Sequence, residues 1–186
     1  MAGHAHLDGS NKSIAILIAV LAAFLALSET GGKSAQTAAL CHHIEASNLW
    51  AFFQAKTIRQ TTLRTAAEAL EADGSDGLTP ARAELHSKRI EAWRATAARY
   101  ESEPETGEGR RELMARARAT ETLREKALAA YHQFEFASAA FQIAIVLASA
   151  SVITGAVWLT VAACGLGVVG LGFAALGFIA PTLVHL

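Results

Sequence analysis

The chain has 186 residues, of which 52% are hydrophobic and 18% charged, and its net charge is -1. Soluble domains have about 25% charged residues. All charged side chains here except Asp8 and Lys12 lie between Glu29 and Glu135, apart from the apolar runs. This segregation indicates a membrane protein, and the abundant alanine and scarce proline favour an all-α fold. Because the charged middle alternates in sign, we expect no nucleic-acid partner.

The first apolar run, residues 14–27, reads IAILIAVLAAFLAL. Its length also fits a signal-peptide core, and Ala26 and Ser28 supply small residues at a cleavage spacing. A signal peptide has a positively charged segment before its apolar core. Here Lys12 is the only fixed positive charge of the preceding tail, which argues against cleavage. We therefore interpret the run as a retained first transmembrane helix over residues 13–29.

A second apolar stretch, residues 136–180, is about twice the length of one bilayer span of roughly 20 residues. Gly155 is the best place for a break, and Pro181 follows where a helix commonly ends. The sequence predicts a second transmembrane helix over residues 134–154 and a third over residues 156–181. A buried helical hairpin is the alternative, but no amphipathic segment covers so much apolar surface.

Small residues recur in each apolar segment at alternating steps of three and four. In membranes, such stripes let helices approach closely, where packing replaces the missing hydrophobic drive. The glycines of the third segment make this interpretation strongest there, and we expect that stripe to contact a partner or a second copy. It contains Gly167, Gly170, Ala174 and Gly177.

The charged middle, residues 33–133, is predicted to form a long antiparallel helical hairpin, a coiled-coil-like stalk. The outbound arm covers residues 33–72. The return arm covers residues 80–102 and 110–133, interrupted by the proline- and glycine-bearing ESEPETGEG. The last helix has no stop signal and runs into the second span. A compact three-helix bundle is the alternative, but its last helix would approach the membrane from the wrong end.

The outbound arm carries three large aromatics in the stretch SNLWAFFQAKTIRQ. Trp50 lies roughly 33 Å along the helix from the first span, too far for an interfacial aromatic belt. Counting the same distance back from the second span predicts that Trp50 and Phe53 pack on Leu113 and Met114. Phe52 points about 100° away from Phe53 around the helix, so the hairpin leaves it uncovered. We therefore expect a homo-oligomer or another partner at Phe52.

These stretches resemble a family of bacterial membrane proteins catalogued as domain of unknown function 4337. SNLWAFFQAKTIRQ is similar to the family's signature of Trp, Ala, two aromatics, Gln, Ala and Lys, which ends here at Lys56. AAFQIAIVLAS, residues 139–149, is similar to the start of the family's second span. The family usually has tyrosines at the positions of Phe52 and Phe53 and arginines between its last two spans, which this chain lacks. The resemblance implies a helical membrane protein and brings no established activity.

Three polar side chains, His132, Glu135 and Gln142, lie on roughly one face of the helix that enters the membrane. Polar groups at membrane depth are candidates for function because they cost free energy unless paired or hydrated. If several copies turned this face inward, it would line a water-filled or ion-conducting path. Alternatively, Gln142 hydrogen-bonds a neighbouring helix, while His132 and Glu135 lie at the headgroup boundary.

The remaining candidates for chemistry are weak. Residues 1–12 form a flexible tail in which His4 and His6 are possible ligands of a divalent metal. A solvated tail is the simpler interpretation, so we expect no metal and no cofactor. The run GLGVVGLG lies in an apolar span with no preceding strand, so it is a packing surface and not a dinucleotide site. No other catalytic motif occurs, and we expect no enzyme activity.

Charge near the membrane ends favours one orientation. Lys33, Arg124 and Lys126 flank the hairpin, whereas the tail offers only Lys12, which favours a cytoplasmic hairpin. We expect a multi-pass protein of the bacterial inner membrane that self-associates as a structural scaffold or as an accessory subunit of a larger membrane complex. The alternatives are a pore or transport component and a metal-responsive sensor that uses the tail.

Overall fold

The computed structural model describes residues 9–74 and 77–183. This part of the chain contains no strand, so the fold is all-α as predicted. It consists of four helices: α1 (Gly9–Ala72), α2 (Pro80–Glu101), α3 (Arg110–Thr154) and α4 (Val157–Ile179). Helix α3 passes without a break from the charged region into the apolar one, as its missing stop signal predicts.

The contacts divide the chain into two units. The first unit contains Met1–Leu40 and Leu123–Leu186, and the second contains Cys41–Thr122. Helices α1 and α3 each contribute to both units, whereas α4 belongs to the first and α2 to the second.

Three helices of the described chain are long and apolar enough to cross a membrane. They are α3, α4 and the Lys12–Ala72 portion of α1. Their exposed positions in the first unit carry apolar side chains such as Ile16 and Val168. Exposing so much apolar surface to water is unfavourable, whereas lipid tails accommodate it. These features indicate a membrane protein.

Helix α1 continues through Gly31 and Gly32, where we predicted a boundary. A glycine inside a helix costs about 0.5–1 kcal/mol relative to alanine. Here the missing side chains leave room for the ring of Phe134 on α3. A Cβ atom at Gly31 would lie 2.9 Å from that ring, and one at Gly32 would lie 3.4 Å from the Cβ of Phe134. Burying Phe134, which is 3% exposed, offsets the helical cost of the two glycines.

The α3–α4 turn is built around Gly155, whose φ of 71° lies in the left-handed region that favours glycine. Ser151 is buried one turn earlier, and its hydroxyl donates a hydrogen bond to the carbonyl of Ala156 at 3.0 Å. The Ser151 hydroxyl also lies 2.7 Å from that of Thr160 on α4. These bonds satisfy polar groups that a short connection between apolar helices would otherwise leave unpaired.

In the second unit, one face of α1 is buried. Its most buried members recur every three, four or seven residues, as helical periodicity requires. The buried face of α1 comprises Ala46, Leu49, Lys56, Gln60 and Ala67.

Helix α2 begins at Pro80 after the N-cap residue Thr79, whose side chain makes no capping hydrogen bond.

Candidate functional site

The aromatic stretch of α1 packs against the start of α3. Leu49, Leu113 and Ala117 form a buried cluster, and Trp50 and Phe53 pack against it. The Trp50 and Phe53 rings meet edge-on, with centroids 5.5 Å apart. The predicted packing of Trp50 and Phe53 on Leu113 is therefore confirmed, whereas Met114, the other predicted contact, is not part of this cluster. Leu49 is an additional member.

Trp50 is also held by a polar contact. Its indole Nε1 donates a hydrogen bond to the Oε1 atom of Glu121 at 2.9 Å. A partly buried indole N–H needs such an acceptor. Trp50 thus joins α1 to α3 through both its ring and its N–H group.

Phe52 is 36% exposed, so the predicted exposure of this ring is real but partial. The ring lies beside Lys56, whose Nζ atom is 5.3 Å from the Phe52 centroid. Phe52 also borders a shallow groove with Ile44 and Arg116. Whether Phe52 contacts a second copy stays a prediction.

Lys56, the last residue of the family signature, is 6% exposed. Its Nζ atom lies 3.8 Å from Glu103 and 3.6 Å from Glu108, two carboxylates of the α2–α3 connection. The ammonium also lies 5.0 Å from the ring centroid of Tyr100. A buried ammonium is costly unless it is paired, and here carboxylates and aromatic faces surround it. Lys56 therefore fixes the α2–α3 connection onto α1.

One turn further along α1, Gln60 connects all three helices of the second unit. Its side-chain nitrogen donates hydrogen bonds to the carbonyl of Ala97 at 2.9 Å and to Glu101 at 3.0 Å. Its side-chain oxygen accepts a bond from Arg110 at 2.6 Å. Gln60 is 2% exposed, and these bonds satisfy its buried amide.

Arg110, the first residue of α3, completes this network. Its Nη1 atom donates to Glu101 at 2.7 Å, and its Nε atom donates to the hydroxyl of Thr57 at 2.9 Å. The guanidinium stacks over Phe53 at 5.0 Å. The hydrogen bond from Gln60 and the Arg110 charge lower the pKa of Glu101, so this carboxylate stays ionised in its place between two donors.

The α2–α3 connection is closed by Glu112. Its carboxylate accepts bonds from the Ser102 hydroxyl at 2.6 Å and the Glu103 backbone N–H at 3.2 Å. The Ser102 bond is the main cause of the lowered pKa of Glu112. A Cβ atom at buried Gly109 would overlap the backbone of Glu103. The signature residues and this connection therefore form a mainly structural polar cluster.

The sequence reasoning missed the partners of Lys56 and Gln60. Lys56 and Gln60 are four residues apart, and Phe53 lies three before Lys56, so all three share one helical face. That spacing was the available signal that both polar side chains point inward. The Gln60 partners Glu101 and Arg110 flank the α2–α3 connection, and the carboxylates that pair with Lys56 lie within it. The sequence pattern does not reveal the path of that connection.

The glycines of the predicted α4 stripe contact side chains of the same chain. A Cβ atom at Gly167 would lie 2.9 Å from Leu21, one at Gly170 2.8 Å from Phe141, and one at Gly177 2.9 Å from Phe134. The fourth member, Ala174, packs against the core that contains Phe141. The close packing predicted for this stripe therefore occurs between helices of one chain.

Whether the three residues expected to line a polar path do so between copies of the chain stays a prediction. His132, Glu135 and Gln142 are all exposed. The Glu135 carboxylate accepts a hydrogen bond from Tyr131 at 2.6 Å and lies 3.4 Å from Nδ1 of His132. The Tyr131 bond raises the pKa of that phenol, which keeps the donor protonated.

Glu135 and Gln142, but not His132, line a groove between α1 and α3 of the first unit, here called the α1–α3 groove. Helix α1 contributes Ser28, Glu29, Lys33 and Gln36 to this groove, and helix α3 contributes Tyr131, Glu135, Ser138 and Gln142.

The predicted tail ligands His4 and His6 lie outside the described residues. Within residues 9–74 and 77–183, no group of three or more His, Cys, Asp or Glu side chains is arranged to hold a metal ion. Cys41 and Cys164 are both exposed and free.

Comparison with known proteins identifies a family. No curated protein and no solved structure matches the chain. The sequence model of the family described as Domain of unknown function (DUF4337) matches residues 10–180, nearly the whole chain. The protein therefore belongs to this family of unknown function.

Proposed function

We propose that the chain is a self-associating integral membrane protein that serves as a structural scaffold or as an accessory subunit of a membrane assembly. The observation that carries this proposal is an uncovered, uncharged stripe on α1, here called the α1 seam. The α1 seam comprises Cys41, Ile44, Asn48, Ala51, Ala55, Ile58, Thr62, Thr65 and Ala69.

Every member of the α1 seam is exposed. The side chains of Ile44 and Ile58 are 51% and 66% exposed, although both are large and apolar. At 100° per residue, the seam lies about half a turn from Leu49, which faces α3. The seam is therefore a second face of α1 that the helices of its own unit leave open.

The spacing of the seam favours a helix as its partner. Its members recur in strictly alternating steps of three and four residues, the heptad period of a coiled coil. Residues 41–69 extend about 42 Å along the helix at 1.5 Å per residue. The alanines and threonines allow a close approach between two helices.

A second copy of α1 is the partner that fits best. The seam carries no charge, so it offers no complementary pattern to a charged partner. Copies inserted the same way into one bilayer would place their α1 helices parallel, which sets Asn48 opposite Asn48. An asparagine at a single seam position specifies register in parallel coiled coils.

The contacts within the second unit support an antiparallel hairpin. Trp50 contacts Glu121, and Gln60 contacts Ala97. Residues later in α1 thus contact residues earlier in the return helices, as expected for antiparallel arms. We further propose that the charged middle of the chain lies on the cytoplasmic side of a bacterial inner membrane, because Lys33, Arg124 and Lys126 flank it.

Oxidative cross-linking through Cys41 tests the proposal. In a parallel dimer, Cys41 meets Cys41 of the second copy within reach of a disulfide. We expect copper phenanthroline treatment of membranes to yield a dimer in the Cys164→Ser variant and none in the Cys41→Ser variant. Cross-linking that persists without Cys41, or none with it, would contradict a parallel α1 seam.

A further inference from the structure

The α1–α3 groove has a volume of about 450 Å³, within the usual range for small-ligand sites. It lies at the level where the apolar parts of α1 and α3 meet their charged parts. On α1, the apolar run ends at Leu27, directly before Ser28; on α3, the last charged residue is Glu135. The groove therefore straddles the level at which lipid headgroups meet acyl chains.

Two polar side chains in the groove have no partner of their own. Ser28 is 1% exposed, and its hydroxyl has no hydrogen-bond partner among the described residues. A buried hydroxyl without a partner costs about 1–3 kcal/mol. Gln142, deeper in the apolar part of α3, likewise makes no hydrogen bond within the described chain. The Gln142 amide is exposed in the groove and is available to a ligand, whereas the Ser28 hydroxyl is buried in the groove wall.

The groove also holds charges of both signs. Lys33 supplies an ammonium group, and Glu29 and Glu135 supply carboxylates from the two helices. Neither Lys33 nor Glu29 forms an ion pair within the part of the chain that the structure describes. Glu135 is oriented by its bond from Tyr131. Its second oxygen lies 3.4 Å from Nδ1 of His132 and can accept one further hydrogen bond.

We propose that the α1–α3 groove binds the headgroup of a phospholipid that carries a primary ammonium. Lys33 neutralises the phosphate, while Glu29 and Glu135 accept hydrogen bonds from the ammonium. Gln142 donates to an ester oxygen below the phosphate.

The groove discriminates among headgroups by charge and by hydrogen bonding. A quaternary ammonium cannot donate to the carboxylates, and it is normally held in a cage of aromatic rings. The groove has two aromatic side chains, Tyr131 and Phe134, and the Phe134 ring packs against Gly31 and Gly177. The one remaining ring does not form a cage. A headgroup with a phosphate and no cation would place its charge near two carboxylates and a single lysine. Lipids with a quaternary ammonium and lipids whose headgroup has no cation should therefore both bind more weakly than a lipid with a primary ammonium.

Native mass spectrometry of the full chain from nanodiscs tests this proposal. The nanodiscs contain equal parts of phosphatidylethanolamine, phosphatidylcholine and phosphatidylglycerol, which the spectrum distinguishes by mass. We expect one retained phosphatidylethanolamine per chain and little of the other two. Glu135→Gln and Lys33→Gln should each weaken retention roughly tenfold, the effect of losing one charge-assisted hydrogen bond. Glu125→Gln, an exposed carboxylate on α3 outside the groove, serves as the matched control and should leave retention unchanged.

Three results would overturn the proposal. One is equal retention of the three lipids, and another is equal loss of lipid in Glu135→Gln and Glu125→Gln. The third is displacement of the retained lipid by an equal concentration of soluble glycerophosphoethanolamine, which would show that the ligand need not be a membrane lipid. The lipid count per chain is read separately from the oligomer mass, so the result does not depend on self-association.

Discussion

Arg110 donates a hydrogen bond to the Gln60 side-chain oxygen at 2.6 Å, which ties the first residue of α3 to the C-terminal part of α1. The same Gln60 contacts α2 through the carbonyl of Ala97. Three helices of the second unit therefore meet at one buried amide. The family signature ends four residues earlier, at Lys56, on the same helical face, which indicates that Lys56 serves this junction.

Removing the Arg110 side-chain charge should loosen the junction. We expect Arg110→Met to lower the free energy of opening of the second unit by about 2–3 kcal/mol, because Gln60 and Glu101 lose a charged donor. Hydrogen exchange of peptides covering residues 94–113 measures this opening. Arg111→Met is the matched control, since the Arg111 side chain is 72% exposed and that of Arg110 only 22%. Equal exchange in both variants would contradict the proposed role of Arg110.

The carboxylates Glu101 and Glu112 predict how the second unit responds to acid. Both pKa values lie below the ordinary 4.5, so the folded state binds protons more weakly than the unfolded state. Their stabilising contribution is complete above the unfolded pKa and is lost as the pH falls through the folded one. Helix content during thermal unfolding should therefore show a lower midpoint at pH 3 than at pH 7. Glu101→Gln should reduce this dependence, and an unchanged dependence would exclude Glu101 as its source.

The glycines of α4 predict a position-specific effect in the first unit. Gly170→Val should destabilise the packing on α3 by about 1–3 kcal/mol, because a Cβ there would lie 2.8 Å from Phe141. Gly172→Val is the matched control, since a Cβ at Gly172 meets no atom within 4 Å. Thermal unfolding in detergent measures the difference. If the two variants unfold alike, the Phe141 contact does not hold α4 in place.

A substitution at Gln142 distinguishes the proposed scaffold from the pore alternative. Under the proposed structural role, Gln142→Leu should leave the oligomer mass unchanged and produce no change in ion flux across proteoliposomes. The same variant should reduce phosphatidylethanolamine retention, since its amide no longer donates in the α1–α3 groove. A wild-type ion flux that Gln142→Leu abolishes would instead support the pore alternative.

The coarse architecture was predictable because it depends on composition and length. The apolar runs indicated three spans, and counting from their ends matched Trp50 and Phe53 to Leu113. This worked because helical rise is nearly constant, so equal distances from the spans pair residues correctly. The family signature further supported a helical membrane protein.

Other features were not predictable because they depend on tertiary contacts. Gly31 and Gly32 resembled a helix boundary until the Phe134 ring accounted for them. The partners of Lys56 come from the α2–α3 connection, whose path depends on Gly109 and Glu112. The α4 glycines were recognised as a packing surface, but the sequence did not show that Phe134 and Phe141 of the same chain fill it.

The mass of the nanodisc-embedded protein tests self-association through the α1 seam most directly. Native mass spectrometry should give the same closed oligomer for the wild type and for Ala115→Glu, a control at an exposed position of α3. Ala55→Glu places a charge in the seam and should give monomers, because two like charges would face each other across the interface. A monomeric wild type, or an Ala55→Glu variant that keeps the wild-type oligomer, would contradict the proposed assembly.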